Sequence, residues 1–218
     1  MTALILATAI FIGTHFVPST PLRPALIRTI GEGLYRGLYS LIALAAITWM
    51  CIAYAGAPRE PLFTPLRHLP SALMPLAFIL LACGLWGNPT IVGADRLLKS
   101  EDPARGAIRI TRHPIMWAIM LWSGAHLLAR GDVKSTIFFG GFLLLAAVGT
   151  VLMDARKKSN PDWARFAAVT SNVPFAAIIQ GRNRIVWREI GLLRPALGFV
   201  VFVVFLLLHP WLFGARPY

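Results

Sequence analysis

The chain alternates between long apolar runs and shorter polar segments. Six of the runs approach the ~20 residues that an α-helix needs to cross the hydrocarbon core of a bilayer. Lipid offers no partner for backbone amides, so crossing segments of this kind must be helical. The pattern therefore predicts an all-α polytopic membrane helix bundle, organised as a single membrane domain over residues 1–218. The six predicted spans cover residues 1–17, 37–57, 71–92, 114–129, 135–153 and 196–214.

The composition excludes the other broad classes of protein. Of the 218 residues, 57% are apolar and only 14% are charged, against about 25% charged in an average soluble domain. Disorder requires the opposite balance of low hydrophobicity and high charge, and a small soluble core could not hide this much apolar surface. The strict alternation of outer-membrane strands is also absent. A lipid bilayer is therefore the expected partner of most of the surface.

The basic residues are unevenly divided between the two sides of the predicted bundle. Segments 18–36, 93–113 and 154–195 hold 16 of the 21 Lys and Arg residues, and the other loops and the tail hold five. Lys and Arg accumulate in cytoplasmic loops, so these three segments are predicted to be cytoplasmic and both termini to lie outside. The expected location is a bacterial inner membrane. Because topology explains the net charge of +12, no nucleic acid partner is expected.

The longest cytoplasmic segment contains two local signals. Asn160 and Pro161 form an N-cap followed by proline at the first helical position, which predicts a short helix over residues 162–169. Residues 185–193 are expected to lie along the membrane surface, with Trp187 at the interface. Neither signal indicates a separate soluble domain.

Histidine is the chemically versatile residue of the predicted spans, because acidic side chains are nearly absent from them. His15, His113 and His126 lie in or beside spans, whereas His68 lies in an outer loop and His209 near the end of the last span. A neutral histidine in hydrocarbon needs hydrogen-bond or metal partners. Haem iron is one such partner and a backbone carbonyl is another, so the residues alone leave both interpretations open.

Spacing limits which histidines could share one iron. His113 and His126 are 13 residues apart on one predicted helix, or about 20 Å along its axis, so a haem with two histidine ligands would need His15 and one of them. No CxxCH motif is present, so such a haem would be haem b. Arginines at the cytoplasmic edge could pair with its propionates, although positive-inside anchoring also explains them. These arginines are Arg23, Arg28, Arg109 and Arg112.

A set of short blocks in a fixed order resembles the NnrU family, which is related to plant 15-cis-ζ-carotene isomerase. The similarity extends over about residues 12–182. Its strongest block is residues 110–114, Ile-Thr-Arg-His-Pro, followed by Trp117 and Trp122. The other matching positions are His15, Ser19, Arg23, residues 32–41, Ala53, Tyr54, Ala57, Pro58, residues 125–128, Gly131, Asp132, residues 170–179, Gly181 and Arg182.

The resemblance implies an integral membrane protein and suggests a cofactor. The plant branch is a haem b enzyme that isomerises a cis double bond of a carotene, with a redox-dependent change of iron ligand. The bacterial branch is named for a link to nitrite and nitric oxide reduction. By resemblance, the iron ligands are His15 and His126. Ser123 stands where the plant branch has a proposed cysteine ligand, so a thiolate-based ligand switch is not expected.

The depth of the two histidines in the membrane bears on this pairing. His15 lies near the cytoplasmic edge of the first predicted span and His126 near mid-membrane, whereas two axial nitrogens on one iron lie only about 4 Å apart. Either the first span continues past Pro18 toward Ala25, or His15 pairs with His113. The preferred hypothesis is the pair of His15 and His126.

The function hypothesis is a haem b membrane protein with one of two roles. It acts as a redox-gated cis-trans isomerase that holds a long apolar polyene, or as an accessory factor for a nitrite or nitric oxide reductase partner. The alternative is an S-adenosylmethionine-dependent methyltransferase, since residues 112–114 also resemble a motif of membrane methyltransferases that act on isoprenylcysteine and phospholipids. Their downstream Glu and paired tyrosines are missing here, and Trp163 and Phe166 occupy that region.

Overall fold

The computed structural model describes residues 1–217, and helices are the regular elements of that range. The α-helices are α1 (Thr2–Phe16), α2 (Leu22–Ile30), α3 (Glu32–Gly56), α4 (Leu69–Gly84), α5 (Pro114–Arg130), α6 (Val133–Lys157), α7 (Pro161–Val169), α8 (Ala176–Ile179), α9 (Trp187–Ile190) and α10 (Leu193–Phe213). The 3₁₀ turns are Val17–Ser19, Asp95–Lys99 and Gly106–Arg109. Residues 1–217 contain no β-strand, only an isolated bridge between Pro61 and Asp132. The predicted all-α class is confirmed.

Six of the helices pack side by side in the order α3, α1, α6, α5, α4 and α10. α4 and α5, with 16 and 17 residues, are shorter than a full span and lie between longer neighbours. The membrane character of the bundle is confirmed, whereas six crossings, outward termini and a bacterial inner membrane stay predictions. Four segments of the described chain are long and apolar enough to cross a bilayer: Thr2–Ser19, Glu32–Gly56, Val133–Lys157 and Leu193–Phe213.

The two ends of the bundle differ in charge. We call the end that carries residues 17–31, 85–113 and 158–192 the basic end, and the other the opposite end. At the basic end, Trp163 and Phe166 of α7 are buried beneath the loop that follows α4. The side chain of Asn160 accepts a hydrogen bond from the N–H of Asp162 at 2.9 Å. The helix predicted after Asn160 is therefore confirmed. It anchors the packed segments of the basic end, residues 85–113 and 158–192, which we call the cap.

The third predicted span ends earlier than its hydropathy indicates. The prediction extends it to residue 92, whereas α4 ends at Gly84. The side chain of Asn88 donates a hydrogen bond to the carbonyl of Gly84 at 2.9 Å, and Gly87 has a φ of +65°, which a continuing right-handed helix does not contain. The apolar residues after Gly84 therefore belong to the cap rather than to the helix.

Small residues let the long helices approach closely. A Cβ placed on Gly198 of α10 would lie 2.7 Å from the Cα of Ile79 in α4. A Cβ on Gly141 of α6 would lie 2.6 Å from the Cγ2 of Thr8 in α1. Lipid tails are as apolar as the side chains, so van der Waals contact of this kind, rather than a hydrophobic force, holds membrane helices together.

The contact between α10 and α4 gives a first prediction. We expect Gly198→Ala to destabilise the bundle by about 1–3 kcal/mol, because the added methyl group meets backbone atoms that cannot move aside. Thermal unfolding in detergent measures the change. The control is Gly149→Ala on α6, where a Cβ would have no neighbour within 4 Å, and its effect should stay below about 1 kcal/mol. Equal effects of the two substitutions would contradict the close contact.

Candidate functional site

Two histidines of the bundle are held in the same way. The Nδ1–H of His15 donates to the carbonyl oxygen of Phe11 at 2.7 Å, and the Nδ1–H of His126 donates to that of Trp122 at 2.8 Å. A carbonyl oxygen can only accept, so the proton lies on Nδ1 and Nε2 keeps a free lone pair in each ring. This is the tautomer in which an imidazole binds a metal through Nε2.

A continuous set of aromatic rings joins these histidines along one side of α1, α5 and α6. Neighbouring ring centroids along it lie 4.3–5.7 Å apart. The rings are tilted or edge-on to one another. Phe11 and Phe139 are buried, whereas Trp122 and Phe142 are half-buried and are the rings that an apolar ligand in the predicted membrane region would reach. We call this set of rings the aromatic face; it consists of Phe11, Trp122, Phe139 and Phe142, with His15 and His126 at its ends.

The two histidines lie at different depths along the bundle. α1 and α6 run in the same direction, and Thr8 lies beside Gly141. His15 is seven residues beyond Thr8, about 10 Å nearer the basic end. His126 lies against Phe139, with ring centroids 5.2 Å apart. Phe139 is two residues before Gly141 in α6, on the side away from the basic end. Each histidine fits a metal as a single ligand, but the separation does not fit two axial ligands of one iron.

No extension of the first span brings His15 deeper. α1 ends at Phe16, the turn Val17–Ser19 follows, and Thr20 is extended with a ψ of 166°. The chain then resumes as the separate helix Leu22–Ile30, which packs against α3. His15 therefore stays at the basic end of its helix.

His113 belongs to a different cluster, at the basic end of α5. Its buried ring donates from Nε2–H to Oδ1 of Asp154 at 2.8 Å. Nε of Arg112 lies 3.1 Å from the other carboxylate oxygen of Asp154. The Nδ1 atom of His113 is buried without a hydrogen-bond partner among the described residues. One carboxylate on α6 thus holds both residues, and neither lies on the aromatic face.

Two of the sequence blocks that resemble the family, residues 110–114 and 170–179, meet in this cluster. The hydroxyl of Thr111 and the indole N–H of Trp117 both donate to the carbonyl of Asn172, at 2.6 and 2.9 Å. The side-chain amide of Asn172 donates to Thr150 on α6 at 2.7 Å. Residues 110–114 and 170–179 are therefore one structural unit that fastens the cap to α5 and α6.

The side chain of Arg109 is fully engaged in contacts within the cap. Its guanidinium donates to both oxygens of Glu189, at 2.7 and 2.9 Å, and to the side chain of Asn183 at 2.9 Å. It also pairs with Asp102. The hydrogen bonds from Arg109 lower the pKa of Glu189 to about 2, and a bond from the N–H of Gly106 contributes in the same direction. Arg109 joins α9 to the loop before α5.

Two of the predicted propionate partners, Arg23 and Arg28, stay accessible. Arg23 lies on α2, just beyond the end of α1, with a side chain 39% exposed and 4.0 Å from Glu32. Arg28 is on the same short helix and is exposed. The structure therefore groups Arg23 with His15 at the basic end, whereas Arg109 and Arg112 are occupied by carboxylates of the protein itself.

An apolar cavity of about 200 Å³ lies between α4 and α5, on the far side of Trp122. Its walls include Met74, Phe78 and Ile119. Ligand pockets usually enclose about 300–1,000 Å³. A long apolar molecule would not fit this cavity as it stands.

The fold and these side chains define a membrane helix bundle with two metal-competent histidines on an internal aromatic face. A family model described as NnrU protein matches residues 3–217. The chain belongs to the NnrU family, and the resemblance seen in its blocks is confirmed. No curated protein and no solved structure matched the sequence significantly.

The sequence did not single out the residues that organise the cap. Asp154, Glu189 and Asn172 hold Arg112, Arg109 and Trp117 respectively. In the sequence, Asp154 stands out only by its place at the end of the fifth predicted span. The one available signal was the rarity of acids in the chain, since there are nine Asp and Glu against 21 Lys and Arg. An ionised carboxylate next to a span is expected to have a charged partner.

Removing the Asp154 carboxylate should destabilise the protein strongly. Asp154→Ala leaves Arg112 as a largely buried cation without its partner, and we expect a loss of about 3–5 kcal/mol, measured by thermal unfolding in detergent. Asp95→Ala is the control, because that carboxylate is 61% exposed where it pairs with Lys157, and exposed pairs contribute at most about 1 kcal/mol. A small effect of Asp154→Ala would show that Arg112 finds water or another partner.

The Glu189 carboxylate should make the cap sensitive to acid. Its pKa is lowered from the ordinary value of 4.5 to about 2, so its stabilisation is present above about pH 4.5 and is lost as the pH falls toward 2. We expect Glu189→Gln to be less stable than the parent chain at pH 6 by about 1–3 kcal/mol. The difference should shrink as the pH falls, in unfolding curves recorded from pH 6 to 2. A difference independent of pH would contradict the ion pair.

Proposed function

We propose that this NnrU-family protein binds haem b on the aromatic face, with His126 as the principal iron ligand. The observation that carries the proposal is the hydrogen bond from Nδ1–H to a main-chain carbonyl, which leaves Nε2 of His126 free inside an apolar region. Trp122 and Phe139 flank the same ring, at 5.7 and 5.2 Å between centroids. These side chains supply a ligand atom and flat apolar walls together.

His15 is the second candidate ligand of the iron. Its Nε2 is free in the same way, but about 13 Å along the bundle separates it from His126. A bound haem would supply a redox-active iron. The residues of the chain would hold the macrocycle against Phe139 and Phe142, exclude water from it, and offer Arg23 to a carboxylate at the basic end. The family-derived pair on one iron requires α1 and α5 to shift relative to each other.

The proposed activity is cis-trans isomerisation of a polyene lipid. An apolar set of aromatic rings inside the predicted membrane region favours an extended conjugated molecule as substrate, and the half-buried rings of Trp122 and Phe142 would bring it next to the iron site. An accessory role beside a reductase is the second candidate, since the aromatic rings alone also suit a protein that only carries the cofactor. A functional assay with a defined polyene separates the two roles.

The methyltransferase alternative lacks comparable support. Arg112 and His113 are both engaged by Asp154, and Trp163 and Phe166 are buried in the cap. These residues have structural partners rather than an open cavity facing them, so they are not offered to S-adenosylmethionine.

Spectroscopy of the purified protein tests haem binding. We expect protein from haem-supplemented cells to show a Soret band, and reduced α and β bands after dithionite. His126→Ala should lose at least 90% of the haem per protein, or about tenfold in occupancy, which corresponds to about 1.4 kcal/mol at subsaturating haem. The matched control is His209→Ala on α10, whose Nδ1–H also donates to a carbonyl, that of Ala215, but which is outside the aromatic face.

Comparison of His15→Ala with His126→Ala distinguishes one histidine ligand from two. Loss of haem in both His15→Ala and His126→Ala would support the paired ligands implied by the family. Retention in both, or absence of haem from the parent protein, would overturn the proposal. Once haem is found, a cis polyene added to reduced and oxidised protein in liposomes tests the activity. Conversion to the trans isomer in one redox state supports isomerisation, and no conversion in either supports the accessory role.

A further inference from the structure

A basic groove of about 330 Å³ opens on the surface of the cap, away from the aromatic face. It is lined by Arg109, Gly181, Arg182, Asn183 and Arg184. This lining contains three arginines and no carboxylate. The groove therefore has the charge and the hydrogen-bond donors to hold an anion.

The three arginines are not equally available. Arg109 is engaged by Glu189 and Asp102. Arg182 donates to the carbonyls of Ala168 and Thr170 at the end of α7. In the described part of the chain, the guanidinium of Arg184 has neither an ion pair nor a hydrogen bond, and the residue is exposed. Two arginines thus build the walls, and Arg184 is the cation left for a ligand.

The surroundings of the groove indicate which anion it takes. Trp187 and Leu193 follow Arg184 by three and nine residues in the chain and are 73% and 81% exposed, and Ile179 is 83% exposed at the end of the preceding helix. Leu193 is the first residue of α10, a membrane-spanning candidate. Tryptophan and apolar side chains at the start of a span lie at the membrane interface. The groove therefore lies at the level of the lipid headgroups, beside surfaces that suit acyl chains.

We propose that this groove binds the phosphate of an anionic phospholipid in the leaflet at the basic end. Arg184 is its principal contact, Arg182 and Asn183 complete the polar lining, and Trp187 and Leu193 contact the upper part of the acyl chains. A soluble phosphate or an acidic peptide would use the charge but would leave these apolar side chains uncovered. The site is independent of haem binding, because none of its residues belongs to the aromatic face.

Lipid titration of the purified full-length chain tests this site. In neutral detergent, native mass spectrometry counts bound phosphatidylglycerol and phosphatidylcholine, and we expect phosphatidylglycerol to bind at least about fivefold more tightly. Arg184→Gln should weaken phosphatidylglycerol binding about fivefold, the effect of one interfacial arginine. Arg184→Lys should keep most of the affinity. The matched control is Arg67→Gln, an exposed arginine at the opposite end, which should change nothing.

Three results would overturn the proposal. Unchanged phosphatidylglycerol binding by Arg184→Gln would exclude the groove as the site. Equal binding of phosphatidylcholine would exclude recognition of an anionic headgroup. Competition by inorganic phosphate at the same concentration as the lipid would identify a site for free phosphate instead. Thermal unfolding of Arg184→Gln should match that of the parent chain, because the side chain has no structural partner to lose.

Discussion

Polar groups inside this bundle must find their partners within the protein, because hydrocarbon offers none. This constraint explains the state of the two histidines in the aromatic face. Each one satisfies Nδ1 with the carbonyl one turn earlier in its own helix, which requires no neighbouring polar side chain. The consequence is chemical, since both rings are fixed in the tautomer with a free Nε2. The need to satisfy one nitrogen thus prepares the other for a ligand.

The same constraint shapes the basic end in a different way. There, charged groups are satisfied by other side chains, and Asp154 serves both Arg112 and His113. Asn172 links the cap to α5 through its carbonyl and to α6 through its amide. These contacts make the cap a folded part of the bundle rather than a set of flexible loops. They also remove Arg112 and His113 from the residues available to a cofactor. Arg184, in the basic groove on the surface of the cap, keeps an unpaired guanidinium among the described residues.

Local sequence signals predicted well where a local physical rule applies. The long apolar runs became helices because backbone bonds within a helix need only neighbouring residues. The helix after Asn160 formed because its N-cap and proline act within one turn. The third span was predicted too long, because hydropathy averages apolar residues and does not register a local turn that ends the helix. After Gly84, the apolar residues lie in the cap, and the turn at Gly87 and the contact from Asn88 end the helix.

The membrane class, the all-α fold, the family and the candidate histidines followed from the sequence alone, since hydropathy and motif order are properties of the chain. The tertiary structure decided which side chains meet. The predicted spans already indicate that His15 and His126 differ in depth, and the packing of α1 on α6 at Thr8 and Gly141 sets the size of the difference. The partners of Arg109 and Arg112 lie 80 and 42 residues away in the chain. Contacts over such separations arise only when the helices assemble, because only then do the opposite charges come close enough to offset the cost of removing each from water.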